Sequence, residues 1–269
     1  MATQLEAHLR TVNESGFPLQ IAISHLVNTQ HPAGWNVRYA EHAWQSPNGR
    51  DSGFIDVVLE NAAATCFLVI ECKRVRDVER IFLAANGNNG TRHHCKCWVS
   101  RMVNNSMKFF GWEECPVDPT SKEAAFCVVR GQAANGQRPM LERIASEVIL
   151  ATEALAVQER GYKPPDRSEL FRTYFNVIVT TAPLLMGKFD PAGISLTDGT
   201  LAAAEFEAVP YVRFRKQLAD AAQPFNESYD APYEAARARE STVFVVNANH
   251  LTDFLSEFEL DNQGANRFI

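Results

Sequence analysis

The sequence predicts an α/β fold made of one domain with insertions. Leu5, Leu9 and Val12 recur at helical spacing near the start of the chain. The continuous apolar run over 67–70 is typical of a central strand that is covered on both faces. A third observation is the stretch 139–158, which places its apolar side chains on one face of a helix. Helices and strands that are mixed along the chain in this way indicate an α/β architecture.

The order of the elements follows from the same patterns. Beyond the first helix, we predict helices over 18–29, 139–158 and about 250–258. Strands are predicted over 35–44, 53–59, 66–73, 124–130, 174–181, 204–214 and 243–246. The single domain of residues 1–260 then comprises a core at 14–83 and 123–182, an irregular basic and aromatic insertion at about 84–122, and C-terminal strand and helix elements at 200–260. Residues 261–269 are expected to form a loose tail.

The composition limits the class of protein. The 269 residues (30.0 kDa) are 46% hydrophobic and 22% charged, which is near the globular average and argues against wholesale disorder. No apolar stretch approaches the roughly 18 residues of a membrane span, and the first ten residues lack the apolar run of a signal peptide. We therefore expect a cytoplasmic protein with no membrane partner.

The six cysteines do not form an obvious disulfide framework, and reduced thiols are the expected state. Cys95, Cys97 and Cys115 are of a residue type that binds zinc, and two histidines precede Cys95. Structural zinc sites usually contain a Cys-x-x-Cys pair, however, and the chain has none. The spacing therefore argues against zinc, and a zinc-stabilised interaction protein is retained only as a third hypothesis.

Two acids and a lysine stand out because they lie within or at the end of apolar strand sequences. Asp56 is inside the second predicted strand, and Glu71 and Lys73 close the third. Residues two apart on a strand share a face, so Glu71 and Lys73 act together while Cys72 points away. An unpaired charge in such a place is costly, so these side chains need a partner or a function.

A hairpin between the two strands would bring the acids together. If Asp56 pairs with Glu71, then Leu59 pairs with Leu68 and residues 62–65 form a loop of ordinary length. Directly opposed residues have Cβ atoms roughly 5 Å apart, and two carboxylates that close repel each other unless a cation lies between them. Such oxygen ligands suit Mg²⁺, which substrate phosphate can complete. The alternative is a salt-bridge network in which Lys73 or an arginine pairs with each acid.

Four segments around these residues carry a resemblance to a known family. They are Gly16-Phe17-Pro18-Leu19-Gln20, Gly34-Trp35-Asn36-Val37, Ile55-Asp56-Val57-Val58 and Leu68-Val69-Ile70-Glu71-Cys72-Lys73-Arg74. Together, over residues 14–83, they resemble the core of the PD-(D/E)xK nuclease superfamily, the restriction-endonuclease-like proteins of bacteria and phages. The resemblance implies a central mixed β-sheet flanked by helices. It also implies that Asp56, Glu71 and the backbone carbonyl of Cys72 are metal ligands, with Lys73 as the catalytic lysine.

Many members of that superfamily add an acid from the first core helix. This chain departs from the pattern, because Gln20 occupies the matching place. Glu14 lies nearby, at the boundary between the first two predicted helices. Glu14 and Gln20 are therefore the candidates for an additional site.

A basic segment supplies the expected contacts with nucleic acid. Eight basic and two acidic residues lie between Lys73 and Lys108, although the whole chain has a net charge of -6. A local basic patch matters more for binding phosphates than the total charge does. The expected contact residues are Arg74, Arg76, Arg92, Lys96 and Arg101. The nearby aromatic residues Trp98, Phe109, Phe110 and Trp112 either stack on bases or, as we prefer, form a small satellite core.

The expected function is that of a metal-dependent endonuclease that hydrolyses phosphodiester bonds, with DNA as the expected substrate and Mg²⁺ or Mn²⁺ as cofactor. Its setting would be restriction, phage defence or repair. The alternative is a catalytically inactive nuclease-like module that binds nucleic acid or a protein partner, as Gln20 in place of an acid suggests. The resemblance also allows a homodimer, because related enzymes often work as dimers to cut both strands.

Overall fold

A computed structural model of the chain describes residues 3–76, 78–85, 91–130, 140–162, 168–218 and 232–260. The helices are α1 Gln4–Glu14, α2 Phe17–Gln30, α3 Met140–Glu159, α4 Pro232–Ala238 and α5 Leu251–Glu257. The strands are β1 Asn36–Gln45, β2 Ser52–Glu60, β3 Cys66–Lys73, β4 Glu79–Ala85, β5 Thr91–Val103, β6 Ser106–Ala124, β7 Phe126–Arg130, β8 Glu169–Thr180, β9 Leu184–Phe189, β10 Glu205–Ala208, β11 Tyr211–Lys216, β12 Ser241–Asn247 and β13 Glu259–Leu260. Short 3₁₀ turns lie at Pro32–Gly34, Pro191–Gly193 and Ala248–His250.

The larger of the two sheets is mixed, and β8 lies at its centre. β8 pairs in parallel with β3 on one side and with β12 on the other. Beyond β3 the sheet continues through β2 to β1, both antiparallel. Beyond β12 it continues through β11, β6 and the short β13, while β5 bridges β6 and the first half of β8. The chain therefore has a mixed α/β fold with a central mixed sheet and helices.

The two faces of this sheet carry separate cores because side chains alternate along each strand. On β3, Phe67 and Val69 belong to the core that contains the buried side of α3. Leu68 and Ile70 belong to the opposite core, with side chains of α2 and α5. Any side chain of β3 that follows Val69 at even spacing therefore faces α3.

A smaller sheet, in the order β10-β9-β4-β7, packs on the α3 side. β4 and β9 are parallel, and the other two pairings are antiparallel. Phe82, Cys127 and Met186 of this sheet are buried in the same core as α3. The smaller sheet is thus an extension of that core and not a separate unit.

Several predicted elements are confirmed. The strand predicted over 66–73 is β3 to the residue, and β1, β2, α2 and α3 each lie within one residue of the predicted bounds at both ends. The other predicted helices and strands, except the strand over 204–214, are also present, with shifted ends. The predicted loose tail at 261–269 lies outside the described residues.

The prediction of irregular structure over 84–122 is wrong for the described part of that segment. β5 and β6 form a long antiparallel hairpin that joins the main sheet. Its tip is formed by Asn104 and Asn105, with φ of 48° and 61°. Positive φ at two consecutive residues suits the tight turns that connect hairpin strands, and asparagine tolerates it.

The single strand predicted over 204–214 is also wrong, because the chain forms β10 in the smaller sheet and β11 in the larger one. Pro210 separates them. Proline has a fixed φ and no N–H to donate to a strand ladder, so it suits the point where the chain changes sheets. Among the described helices, none combines the length and the apolar character needed to cross a membrane.

Candidate active site

The β2–β3 hairpin has the predicted register. Leu59 pairs with Leu68, and Val57 pairs with Ile70. The Asn61 N–H donates to the carbonyl of Cys66 at 3.0 Å, which closes the loop over the predicted residues. The next pair in this register is Asp56 with Glu71, so the two acids lie opposite each other on neighbouring strands.

The backbone ladder between β2 and β3 stops at these acids. β2 remains paired with β1 as far as Ser52, and β3 remains paired with β8 as far as Lys73. In place of a backbone carbonyl, the Asp56 Oδ2 accepts the N–H of Cys72 at 2.7 Å. The N–H and C=O of one strand residue point to the same side of the strand. The carbonyl of Cys72 therefore faces β2, beside the Asp56 carboxylate.

Glu71 and Lys73 share the α3 face, as their spacing predicts. The Lys73 Nζ lies 2.5 Å from the Glu71 Oε1. Cys72 points to the opposite core and is buried there. The Glu71 and Lys73 side chains are 17% and 32% exposed, so both reach solvent from a mostly enclosed position.

The end of β3 is fixed by residues that lie far along the chain. The carbonyl of Lys73 accepts the Thr180 hydroxyl at 2.9 Å and the Thr181 N–H at 3.2 Å. These contacts close the parallel β3–β8 pairing at its last residues. They hold the backbone of Lys73 while its amine remains free to turn toward Glu71.

The charges of the site are not balanced. Burial raises the pKa of Asp56 above its usual value. Burial and the nearby Asp56 carboxylate together raise the pKa of Glu71. Burial alone would lower the pKa of Lys73, but Glu71 and Asp56 outweigh it and the pKa is raised, so the amine stays protonated at neutral pH. Asp56 and Glu71 thus share the single positive charge of Lys73. Carboxylate oxygens are ligands that divalent cations prefer, so such an ion would fit this site.

Two acids that the sequence argument missed also surround the site. Glu41 is on β1 and lies opposite Asp56, because its neighbours Ala40 and His42 pair with Val57 and Ile55. Its negative charge contributes to the raised pKa of Asp56. Its φ is 50°, a backbone conformation that is uncommon for a non-glycine residue. Glu147 on α3 raises the pKa values of Glu71 and Lys73. No local pattern marks these residues, because strand pairing and helix packing bring them to the site.

A cleft of about 460 Å³ opens beside Glu71, between the start of β2 and α3. Trp44 and Phe54 contribute aromatic walls, Arg50 contributes a positive charge, and Glu147 closes the helix side. Phe54 is two residues before Asp56 and is 62% exposed. Glu71 therefore lines an open concavity, and Asp56 lies one residue beyond the part of β2 that borders it.

Gln20, the residue expected at an additional site, supports Asp56 through the backbone. Its Nε2 donates to the carbonyl of Asp56 at 2.9 Å, and the side chain is 6% exposed. Glu14, the other candidate, is exposed at the end of α1. The Arg74 guanidinium donates to the carbonyl of Asn13, which ties that end of α1 to the segment after Lys73.

The basic residues expected to contact nucleic acid are dispersed. Arg74 is engaged with α1, and Arg76 is exposed. Arg92 is half exposed and lies 3.8 Å from Glu123.

Lys96 and Arg101 do not form part of an exposed basic surface. Lys96 is buried, and the Arg101 guanidinium pairs with Glu169 at 2.9 Å. Burial within the sheet and pairing with residues of other strands explain why these two residues are not exposed basic groups. Counting charges along the sequence does not reveal such pairings.

The cysteines and aromatic residues of β5 and β6 are part of the core. Cys95, Cys97 and Cys115 are buried on the face opposite α3, and burial raises the pKa values of Cys95 and Cys97. Trp98 and Trp112 pack edge to face with centroids 5.4 Å apart in the core next to α3. Within the described ranges, no group of three or more His, Cys, Asp or Glu side chains is arranged to hold a metal ion. The candidate ligand set differs in kind, since it joins two carboxylates with one backbone carbonyl.

Comparison with known proteins gives no relative. No protein-family model matches the chain, and neither a curated protein nor a solved structure matches it.

Proposed function

We propose that the protein is a metal-dependent nuclease with a restriction-endonuclease-like core, and that it hydrolyses phosphodiester bonds of DNA. The observation that carries this proposal is the position of Asp56 and Glu71 just beyond the last β2–β3 pair, Val57 with Ile70, where the Asp56 carboxylate accepts the Cys72 N–H. Lys73 contacts Glu71 on the α3 face, and Glu71 lines an open cleft. A structural salt bridge would need one acid for Lys73, and here two acids are raised in pKa beside it.

The donor set fits a hard divalent cation such as Mg²⁺ or Mn²⁺. Asp56, Glu71 and the carbonyl of Cys72 would hold it, because all three offer oxygen and face the gap between β2 and β3. When bound, the ion would supply Lewis-acid activation of the phosphate and of the attacking water. Asp56 keeps its orientation through the Cys72 N–H, and Gln20 holds the backbone beneath it.

Lys73 has the properties of an electrostatic stabiliser. Its raised pKa keeps it protonated at neutral pH, so it donates hydrogen bonds instead of removing a proton. Glu71 holds the amine in place at 2.5 Å. A fixed positive charge in a mostly enclosed position would stabilise negative charge that develops at phosphorus.

A cleavage assay tests this proposal. Plasmid DNA, linear DNA and RNA would each be incubated with the purified protein in Mg²⁺, in Mn²⁺ and in EDTA. We expect DNA cleavage that EDTA abolishes and that Asp56→Asn or Lys73→Met lowers by about a thousandfold, since each removes a group that acts on the reacting centre. The matched controls are Asp253→Asn on α5, which removes an exposed carboxylate, and Lys188→Met on β9, which removes a partly exposed amine paired with Glu207.

Two outcomes would contradict the proposal. Cleavage that survives both site substitutions would reject the assignment of Asp56 and Lys73. DNA binding without cleavage in any divalent cation would favour a nuclease-like module that binds only, and the neutral Gln20 beneath Asp56 is the feature that points to this second function.

A further inference from the structure

Two apolar surfaces are largely exposed in the described part of the chain. The first is the apolar stripe of α1, formed by Leu5, Leu9 and Val12. These side chains are 66%, 53% and 55% exposed, and no residue of α1 is buried. An amphipathic helix normally gains its stability by packing its apolar stripe on another element. α1 has such an apolar stripe, but most of the stripe is exposed in the described part of the chain.

The second surface is the outer face of the smaller sheet. Phe82, Cys127 and Met186 point inward to the core, so their neighbours along each strand point outward. Strand pairing aligns the outward residues in two rows that cross all four strands. The rows are Val128–Ile81–Leu185–Ala208 and Phe126–Leu83–Gly187–Phe206. Seven of these eight residues have apolar side chains and the eighth is glycine, so the rows form a continuous apolar face.

This sheet face is substantially open to solvent. Phe126, Val128 and Phe206 are 64%, 51% and 58% exposed. The Phe206 ring lies over Gly187, where an added Cβ would approach the ring to 3.2 Å. The exposed residues are contiguous across the four strands, unlike single exposed apolar residues, which are ordinary and need no explanation.

We propose that the two surfaces bind each other between two copies of the chain, with α1 of each copy packed on the outer sheet face of the other. Their dimensions match. The 11 residues of α1 span about 16 Å, and the axes of four strands span about 14 Å. A helix laid across a sheet is the ordinary way in which each buries an apolar face.

The area of the contact indicates whether the two copies make one helix-on-sheet contact or two reciprocal ones. Four strands by two rows give an apolar patch of roughly 260 Å², so one helix-on-sheet contact buries about 500 Å² in total. This is the size of a crystal-packing contact, whereas a specific interface needs about 1,000 Å² or more. Only a reciprocal exchange, with both contacts made at once, reaches that size. It also closes the assembly as a two-fold dimer, where a one-way contact would propagate into a filament. This inference does not depend on the nuclease proposal.

Mass measurement by light scattering after size-exclusion chromatography tests the dimer. We expect the wild type to have twice the 30.0 kDa chain mass. Leu9→Asp on α1 and Val128→Asp on the sheet should each weaken dimerisation about a hundredfold or more, because each places a charge in both symmetric contacts. Leu196→Asp is the matched control, since Leu196 is fully exposed and belongs to neither surface. Circular dichroism would verify that each variant is folded.

A mixing experiment distinguishes the proposed exchange from other dimers. The Leu9→Asp protein keeps an intact sheet face and the Val128→Asp protein keeps an intact α1, so their mixture regains only one of the two contacts. One contact is too small to hold a specific dimer, so the mixture should stay monomeric. In a second version, Leu9→Cys and Val128→Cys proteins should form a mixed disulfide under mild oxidation, and all six native cysteines are buried and would not compete. A monomeric wild type would overturn the proposal. So would a dimer that survives either aspartate substitution, or a disulfide between two copies of the same cysteine variant.

Discussion

The two ends of β3 carry buried charges that are organised in opposite ways. At its first residues, next to Phe67, the carboxylate of Glu159 is fully surrounded by donors. Its Oε1 accepts from the Arg38 guanidinium at 2.9 Å and from the Tyr39 hydroxyl at 3.0 Å, and its Oε2 accepts from the Tyr174 hydroxyl at 2.7 Å. Arg172 lies 3.8 Å from the same carboxylate. We refer to these five residues as the Glu159 network.

At the other end of β3, the candidate site contains more acid than its donors can satisfy. Asp56 and Glu71 share Lys73, and Glu41 and Glu147 add negative charge around them. The Glu159 network therefore stabilises the fold, while the site stores repulsion that a ligand can relieve. The comparison teaches that burial of charge alone does not mark function, whereas an imbalance of charge beside an open cleft does.

Breaking the Glu159 network should have the largest effect on stability. Glu159→Ala leaves two tyrosine hydroxyls and the Nε of Arg38 without their acceptor, while Arg38 keeps Glu60, so we expect a loss of about 3 kcal/mol in the free energy of unfolding. Urea unfolding at pH 7 measures it, with Asp253→Asn as the control for loss of an exposed carboxylate. A change smaller than that of the control would show that the network contributes nothing.

Divalent cations should stabilise the folded protein by binding at the candidate site and not at the Glu159 network. At a Mg²⁺ concentration ten times its dissociation constant, the wild type should gain about 1.4 kcal/mol, because the ion binds the folded protein alone. Thermal unfolding with and without Mg²⁺ measures this gain. Asp56→Asn should remove it, and Glu159→Ala should preserve it despite its lower stability. An equal gain in the Asp56→Asn protein would place the cation elsewhere.

Neutralising the acids should stabilise the protein in the absence of metal. The pKa values of Asp56 and Glu71 are raised by burial, so the folded protein binds protons more tightly than the unfolded chain. Stability therefore falls as pH rises through the folded-state pKa values. We expect the Asp56→Asn/Glu71→Gln double variant to be more stable than the wild type by about 1 kcal/mol at pH 7.

The same double variant should lose its advantage in acid. Below pH of about 4, the ordinary range of carboxyl groups, Asp56 and Glu71 of the wild type are protonated, so positions 56 and 71 are uncharged in both proteins and their stabilities should converge. Urea unfolding between pH 3.5 and 8 would follow the difference. A difference that stays constant with pH would mean that ionisation of the two acids does not oppose folding.

The hairpin that builds the site could be predicted because its information is local. Apolar runs defined β2 and β3, and the short loop between them left one sensible register, which aligned Asp56 with Glu71. The same reasoning placed Glu71 and Lys73 on one face, since alternation along a strand is a geometric property of the backbone.

The surroundings of the site could not be predicted, because they depend on pairings between distant segments. Glu41 and Glu147 reach the site through β1 and α3. Arg80 counts as one of the eight basic residues between Lys73 and Lys108, yet it is fully buried beside Cys127. The partners of Arg101 and Lys96 likewise come from other strands, so a charge count along one segment overstates the basic surface.

The hydrogen bonds from Thr180 and Thr181 to the Lys73 carbonyl have a consequence for biosynthesis. They join positions 107 residues apart. A nascent chain on the ribosome, or a proteolytic fragment that ends before residue 180, contains all three charged groups of the site but lacks the strand that fixes them. The site would therefore be assembled only after residue 180 has been translated, and under the proposed nuclease function this would limit premature cutting of nearby nucleic acid.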